Sequence, residues 1–300
     1  MAKKINLNDY LGHSMDCTCG KEHKTNLKIV DIDKDAVSRL PKHIEALGYK
    51  KPFLVADVNT WAAAGALVAE KLDVAGISYK KYIFNEKELI PDEKTLGSLM
   101  MAFSRDCDVI VAVGSGTLND LCKCSSFQLG LDYMVFATAP SMDGFVSIGA
   151  ALITNYVKTT YQAHVPLAVI GDTDILAAAP MEMITAGLGD ILGKYTCLLD
   201  WKMAHIITGE YYCSHIADMV KEAVFSIIQF DVPASSVLDL FAGSGQMGIE
   251  ALSRGASHCV FVDSKPEAVA IVKDNVDSCG FNKESRVLCM DSLEYLKVAK

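Results

Sequence analysis

Residues 107–120 read CDVIVAVGSGTLND, and this stretch decides the fold. An apolar β run ends at Gly114 and Gly116, and a helical segment follows. The two glycines let backbone N–H groups approach a pyrophosphate, while the helix contributes its positive N-terminal end. The spacing is not G-x-G-x-x-G and no Walker lysine follows, so the motif alone also fits an ordinary glycine turn.

The same alternation of β runs and helices extends to both sides of this stretch. KPFLVADVNT (51–60) and SYKKYIF (78–84) precede it, and YMVFATAPSMDG (133–144) follows, with helical segments between them. This order predicts an α/β fold with a parallel, Rossmann-like N-terminal sheet that binds a nucleotide at the carboxyl ends of its strands. From about residue 170 to 229 the periodicity becomes helical.

Composition narrows the class of protein. Hydrophobic residues make up 51% of the 300 positions and the net charge is -9, which argues against nonspecific nucleic-acid binding by the whole chain. No apolar run reaches the roughly 18 residues of a membrane span. The N-terminal lysines lack an apolar segment behind them, so no signal peptide is expected. Ten cysteines scattered through apolar segments indicate a reduced, cytoplasmic compartment.

The N-terminal stretch CTCGKEH (17–23) contains Cys17, Cys19 and His23. Zinc sites with four protein ligands usually combine C-x2-C spacing with a second ligand pair, and no second pair is evident here. The spacing therefore favours an ordinary loop over a structural metal site.

Asp190 is a second candidate ligand, because it sits inside an apolar helical segment between Gly189 and Gly193. A partly buried carboxylate needs a partner. A metal ion is one option, and a helix cap or another hydrogen bond is the more common one.

Four motifs, in this order and spacing, resemble the sn-glycerol-1-phosphate dehydrogenases. That family shares the fold of dehydroquinate synthase and iron-containing alcohol dehydrogenase, and the bacterial AraM branch is the most similar. The resemblance covers residue 1 to about 222, and CTCGKEH also resembles the N-terminus of that branch. The four motifs are GSGTLND (114–120), ATAPSMDGFVS (137–147), GLGDILGKY (187–195) and DWKMAHIITGEYYC (200–213).

The resemblance implies a metal-assisted hydride transfer between NAD or NADP and dihydroxyacetone phosphate, giving glycerol 1-phosphate. It implies that Asp143 contacts the substrate, that Asp190 binds both the substrate and a catalytic Zn²⁺ or Ni²⁺, and it allows a homo-oligomer. It also implies cofactor contacts from Asp57 to the adenosine ribose, from Gly116, Thr117, Leu118, Asn119 and Asp120 to the phosphates, and from Thr138, Ala139, Pro140, Ser141 and Ser147 along the cofactor.

The metal site that the resemblance implies also needs two histidines further along the chain. The corresponding positions lie near Ala270 and Arg286. The histidines after Asp190 are His205, His215 and His258, which do not match those positions. Because a catalytic zinc requires three protein ligands, we expect little or no dehydrogenase turnover.

The last part of the chain returns to α/β periodicity. VLDLFAGSGQMGIEALSRGA (237–256) includes a formal G-x-G-x-x-G from Gly243 to Gly248, which allows a second NAD site. Asp239, four residues before the first glycine, suits the cationic methionine end of S-adenosylmethionine. An anion beside a pyrophosphate would cost energy, so S-adenosylmethionine is favoured over NAD.

This stretch, together with CVFVDSKPEAV (259–269), resembles the RsmD-type rRNA guanine-N2 methyltransferases. The resemblance implies that Asp239, Gly243 and Gly245 hold the methionine part, Asp263 the ribose, and Asp291 with Ser292 the adenine end. The catalytic DPPY-like motif of that family follows a later strand, and this sequence does not contain it. An rRNA partner is expected only if this part is functional.

Helix 214–229 (SHIADMVKEAVFSIIQ) fits the end of one resemblance and the start of the other. The sequence predicts a dinucleotide-binding domain over 1–174, a truncated helical segment over 175–229 and a partial methyltransferase domain over 230–300. No linker rich in Gly, Pro or Ser separates them, which favours a chimera of two genes over an evolved bifunctional enzyme. A non-catalytic nucleotide-binding remnant is the third alternative.

Overall fold

The computed structural model describes residues 9–15, 17–86, 88–227 and 232–299. The chain divides into two compact units, Met1–Gly193 and Lys194–Lys300.

The first unit is built on parallel β-α-β connections. Its strands are β1 (Ser14–Met15), β2 (His23–Lys24), β3 (Ile29–Asp33), β4 (Pro52–Asp57), β5 (Lys80–Phe84), β6 (Val109–Gly114), β7 (Asp132–Ala137), β8 (Gly149–Thr154), β9 (Val157–Gln162) and β10 (Ala168–Asp172). Its helices are α1 (Leu40–Ala46), α2 (Val58–Thr60), α3 (Ala66–Val74), α4 (Glu93–Ala102), α5 (Gly116–Leu129), α6 (Thr173–Ala177) and the first part of α7 (Met181–Thr208).

Six of these strands form one parallel sheet in the order β3-β10-β7-β6-β4-β5. The chain leaves β4 toward β5 on one side and then returns to β6 on the other side. Strand order therefore reverses between β4 and β6, which is the topological switch point where open α/β sheets bind ligands. The predicted Rossmann-like sheet is confirmed.

Helices cover both faces of this sheet. Ala64, Val68 and Leu72 lie in one apolar core with Leu54 and Val111, while α4 and α5 contribute to a second core on the opposite face. Side chains of β4 alternate between the two faces of the sheet. Leu54 and Ala56 belong to the first core, and Phe53 and Val55 belong to the second. Strands buried on both faces are expected to be apolar at every position, as those of a parallel sheet commonly are.

Asp31 ties β3 to the helical turn that follows it. Arg39 donates two hydrogen bonds of 2.7 Å to the two carboxylate oxygens of Asp31, and the His43 ring nitrogen lies 2.7 Å from Oδ2. The Arg39 guanidinium is the main cause that lowers the pKa of Asp31 from 3.8 to about 2.

The second unit has a small parallel sheet in the order β11-β12-β13. Its elements are α8 (Ser214–Ile227), β11 (Ser236–Asp239), α9 (Gln246–Ser253), β12 (His258–Asp263), α10 (Pro266–Cys279), β13 (Ser285–Cys289) and α11 (Ser292–Val298). The predicted three-strand beginning of a methyltransferase-like sheet is confirmed, and α7 and α8 confirm the helices expected before it.

Helix α8 packs within this second unit. Phe225 is 1% exposed and shares an apolar core with Tyr195 and Phe261. Arg254 lies 4.5 Å above the Phe225 ring and pairs with Glu222 at 3.1 Å.

Burial is less complete in the small sheet than in the large one. Leu238 of β11 is 42% exposed and Phe241 after it is 79% exposed, whereas every residue of β6 is buried. None of the helices in the described ranges combines the length and hydropathy that crossing a bilayer requires.

We expect Asp31→Asn to remove a pH-dependent part of the stability. The lowered pKa of Asp31 means that its contribution is complete above about pH 4 and disappears as the pH falls through 2. At pH 6 the free energy of unfolding of the variant should be about 1 kcal/mol lower than that of the parent. The ion pair contributes no more than this because solvent reaches Arg39 and screens its charge. Urea unfolding of both proteins at pH 6 and near pH 2 measures this, and a difference that does not change with pH would contradict it.

Hydrogen exchange should show lower protection in the second unit than in the first. The partly exposed β11 and the short three-stranded sheet bury fewer apolar groups than β6 and β7 do, so local opening costs less free energy. Amides of β6 and β7 serve as the reference in the same sample. Uniformly strong protection through residues 237–296 would refute this expectation and favour an evolved two-domain protein over a chimera.

Candidate functional site

A cavity of about 920 Å³ lies in the first unit at the carboxyl ends of four adjacent strands, β4, β6, β7 and β10. This edge includes the switch point between β4 and β6. The cavity is lined by Asp57, Asn59, Thr60, Ala63, Ser115, Gly116, Thr117, Leu118, Thr138, Ala139, Ser141, Met142, Asp174, Ile175, Ala178, Ala179, Pro180 and Met183.

The glycine turn after β6 forms the floor of the cavity. Helix α5 begins at Gly116, and N–H groups in the first turn of a helix have no acceptor within it. A Cβ added to Gly116 would lie 3.4 Å from the Met142 sulfur, so a side chain here would narrow the cavity. The first turn of α5 contains no acidic residue, which leaves its positive end available to an anion.

Asp57 ends β4 and caps the helix that follows. Its Oδ1 accepts 2.8 Å hydrogen bonds from the backbone N–H groups of Asn59 and Thr60, and Thr60 Oγ1 accepts one of 3.0 Å from the Asp57 N–H. Both capping bonds reach Oδ1, so capping does not occupy Oδ2. Asp57 thus presents a fixed carboxylate to the cavity. Its contact with a ribose stays a prediction.

The loop after β7 supplies two of the hydroxyl groups of the cavity, from Thr138 and Ser141. The Thr138 N–H donates to the Gly114 carbonyl at 3.2 Å, which joins the loops that follow β6 and β7. Ser141 Oγ contacts Ser115 Oγ.

Helix α7 packs closely against the loop after β7 at Gly187, where an added Cβ would lie 1.8 Å from the Pro140 carbonyl oxygen. Glycine at 187 is therefore what lets the helix and the loop approach each other.

Asp143 and Asp190, the two predicted substrate residues, lie side by side. The Asp143 N–H donates a 2.9 Å hydrogen bond to Asp190 Oδ2. Asp190 does not, however, belong to any group of three or more His, Cys, Asp or Glu ligands within the described ranges. The residues around Asp190 do not fit a catalytic metal that needs three protein ligands.

Asn119 and Asp120, predicted at the phosphates, do not line the cavity. The buried Asn119 side-chain oxygen accepts a 3.3 Å hydrogen bond from the Tyr133 hydroxyl, and Asp120 Oδ2 accepts one of 3.1 Å from the Ala151 N–H. Burial raises the pKa of the Asp120 carboxyl, although the nearby Lys123 opposes this. The phosphate-binding capacity of this segment rests on its first turn.

Lys123 is a residue that the sequence reasoning missed. Its side chain is fully buried, with Nζ 3.5 Å from Asp120 Oδ1, 3.0 Å from Ser147 Oγ and 2.9 Å from the Gly149 oxygen. Burial lowers the pKa of Lys123, an effect that Asp120 counteracts. Ser147 therefore anchors the loop that follows Asp143 to helix α5. A lysine within the apolar stretch LCKCSS was the available signal.

The sequence reasoning also missed the residues that line the far wall of the cavity. Asp174, Ile175, Ala178, Ala179, Pro180 and Met183 follow β10, the strand beside β7. Among the predicted cofactor residues, Gly114, Pro140 and Ser147 support the loops and do not line the cavity. Their predicted roles stay predictions.

Three predicted carboxylates of the second unit lie at the carboxyl edge of its sheet. Asp239 ends β11, Asp263 ends β12, and Asp291 follows β13 and caps α11. Asp263 accepts 2.9 Å hydrogen bonds from the N–H groups of Gly243 and Lys265. Burial, and to a smaller extent Asp263, raises the pKa of Asp239.

The turn after β11 has the conformation that its glycines allow. Gly243 and Gly245 have φ of 53° and 75°, in the left-handed region that side chains disfavour. The Gly248 N–H donates to Asp239 Oδ2 at 3.1 Å. A glycine turn beside carboxylates is thus present at this edge, as the sequence predicted.

Comparison with known proteins gives different results for the two parts of the chain. Residues 31–180 match the family described as iron-containing alcohol dehydrogenase, whereas residues 216–300 match the family described as conserved hypothetical protein 95. Two families therefore meet in this chain, as the two resemblances predicted.

Curated relatives carry the name glycerol-1-phosphate dehydrogenase [NAD(P)+]. One from Halalkalibacterium halodurans is 35% identical over 264 residues, covering 85% of this chain and 64% of the relative. One from Bacillus velezensis is 40% identical over 66% of this chain and 51% of the relative. The chain thus spans less than two thirds of the length of these relatives.

Solved structures support the same fold. A glycerol dehydrogenase from Schizosaccharomyces pombe has a TM-score of 0.58 at 16% identity, covering 86% of this chain and 61% of that one. A probable glycerol dehydrogenase from Sinorhizobium meliloti 1021 has a TM-score of 0.55 at 18% identity, covering 86% and 65%. The match to the family model, residues 31–180, covers half of the 300 residues. The chain therefore belongs to the iron-containing alcohol dehydrogenases.

Proposed function

We propose that the first unit binds NAD or NADP in the cavity at the β4/β6 switch point, and that its ancestral reaction is the reduction of dihydroxyacetone phosphate to glycerol 1-phosphate. One observation carries the proposal. The cavity of about 920 Å³ combines the N-terminal end of α5 with the carboxylate of Asp57. This volume lies in the upper part of the range of ligand pockets, which suits a dinucleotide.

Each part of the cofactor has a matching group in the cavity. The N–H groups at Gly116, Thr117 and Leu118 and the positive end of α5 suit the pyrophosphate. Asp57 Oδ2 suits a hydroxyl of the adenosine ribose, since a carboxylate accepts hydrogen bonds. A 2′-phosphate at that position would meet the negative charge of Asp57, so we infer that NADH binds more tightly than NADPH.

Substrate reduction requires more than the described residues provide. When bound, NAD(P)H supplies the hydride. Asp143 and Asp190 stand in contact and can orient a polar substrate through hydrogen bonds. The surroundings of Asp190 do not fit a catalytic metal, so no metal-based polarisation of the substrate ketone is provided by the part of the chain that the structure describes. We infer a cofactor-binding protein with little dehydrogenase turnover.

S-adenosylmethionine binding by the second unit is the second candidate function. The supporting observation is the set of Asp239, Asp263 and Asp291 at the carboxyl ends of three adjacent strands, beside the turn of Gly243 and Gly245. This location corresponds to the ligand edge of open α/β sheets. Methylation of rRNA and assembly into a homo-oligomer remain predictions from the resemblances.

NADH should quench the fluorescence of Trp61, because this residue follows the cavity residue Thr60 directly and lies two residues before the cavity residue Ala63. A Trp201→Phe background isolates this signal. Gly116→Asp should weaken NADH binding by about tenfold or more, since it puts a carboxylate where the pyrophosphate binds. The same carboxylate at the start of α5 suits the helix dipole, so folding should be retained.

Gly97→Asp is the matched control, because position 97 of α4 has no neighbour within 4 Å and lies outside the cavity. It should bind NADH like the parent. Equal NADH binding by the Gly116→Asp and Gly97→Asp variants would overturn the proposed site. A response to S-adenosylmethionine but not to NADH would favour the second candidate.

Dehydrogenase activity should be low even when zinc and NADH are supplied together. Loss of electrostatic stabilisation of the developing alkoxide typically reduces the rate by about 10² to 10³. Initial rates of NADH oxidation with dihydroxyacetone phosphate should therefore lie at least about a hundredfold below those of a full-length relative. Asp190→Asn provides the baseline. A robust zinc-dependent rate that this substitution abolishes would show that Asp190 has metal partners after all.

A further inference from the structure

The N-terminal stretch CTCGKEH forms the loop of a short hairpin and the first residue of its second strand. Strands β1 and β2 form an antiparallel hairpin in which Ser14 pairs with Lys24 and Met15 pairs with His23. The connection between them contains a turn in which the Gly20 N–H donates to the Cys17 carbonyl at 3.3 Å. Gly20 has a φ of 80°, which glycine adopts without strain.

This hairpin brings together the three residues whose spacing alone did not indicate a metal site. The thiols of Cys17 and Cys19 and the imidazole of His23 place their ligand atoms within 4.8 Å of one another. Cys19 Sγ lies 3.2 Å from His23 Nε2. In a tetrahedral zinc site, where the Zn–S bond is near 2.3 Å, neighbouring ligand atoms lie about 3.6 to 3.8 Å from one another. Small side-chain adjustments would therefore let the two sulfur atoms and the imidazole nitrogen surround one ion.

The backbone also favours the metal-binding form of one thiol. The Lys21 N–H donates to Cys19 Sγ at 3.5 Å. A hydrogen bond to sulfur stabilises the thiolate, which is the form that coordinates a metal. All three side chains are only partly buried, so an ion can reach them.

The hairpin is also very short. Each strand has two residues, and the two form a sheet of their own. A two-stranded hairpin is marginally stable in water. Binding of a structural metal contributes directly to the free energy of folding, which supplies what these short strands lack.

We propose that Cys17, Cys19 and His23 bind a zinc ion that stabilises the N-terminal hairpin. Two thiolates and an imidazole form the ligand set that selects zinc among the common divalent ions. This site is distinct from Asp190, and its role is structural. The three residues provide three of the four ligands of a structural site, and the fourth is left to experiment.

The full-length chain, purified under reducing conditions, should retain about one equivalent of zinc after dialysis, as measured by elemental analysis. With cobalt in place of zinc, it should show the visible bands of tetrahedral coordination and the near-ultraviolet band of thiolate-to-cobalt charge transfer. Cys17→Ser, Cys19→Ser and His23→Ala should each weaken zinc binding at least about tenfold in chelator competition. Serine substitutions at the other eight cysteines, one at a time, test for a fourth thiolate.

Two controls separate metal binding from misfolding. His23→Cys should retain zinc, because a thiolate replaces the imidazole, whereas His23→Ala should lose it. Cys279→Ser changes an exposed cysteine of α10 and should leave zinc binding unchanged. Unchanged zinc affinity in all three ligand variants, or no zinc binding by the parent chain under chelator competition, would overturn the proposal.

Discussion

Burial of the central strands on both faces is the constraint on which the first unit depends. Strands β4, β6, β7 and β10 are almost wholly inaccessible, with helices on each side. Polar chemistry can then be presented only at the strand ends. At the carboxyl edge, Asp57 and Asp172 cap new helices through their own carboxylates, and α5 starts without such a cap. The cavity lies where one helix end is left open for an anion.

Local signals made much of this edge predictable from the sequence. The strand, turn and helix of residues 107–120 follow one another without a break, and Asp57 sits at the end of its strand as Asp239 does. What could not be predicted depends on residues far apart in the sequence. Lys123 meets Ser147 and Gly149 only because the β8–β9 hairpin is placed against α5. The wall formed after β10 faces the cavity because β10 pairs with β7, a neighbour that sequence order does not reveal.

The N-terminal hairpin shows the same limit. The C-x-C spacing of Cys17 and Cys19 differs from the usual zinc pattern, and His23 lies four residues further on. Only the pairing of β1 with β2, with Met15 opposite His23, turns these positions toward a common point. Helix α8 was ambiguous for a related reason. Its periodicity fits either family, and its packing could not be read from that periodicity: Phe225 contacts Tyr195, from a dehydrogenase-like motif, and Arg254, from the methyltransferase-like stretch.

The contact between Gly187 and the Pro140 carbonyl has a consequence for how sequences of this fold can vary. No side chain fits between the helix and the loop, because even a methyl group would overlap the carbonyl oxygen. A saturation library would show position 187 as intolerant as any ligand-binding residue, although glycine has no side chain with which to do chemistry. Invariance at such a position records how closely two backbones approach, and it would mislead anyone who inferred function from intolerance to substitution alone.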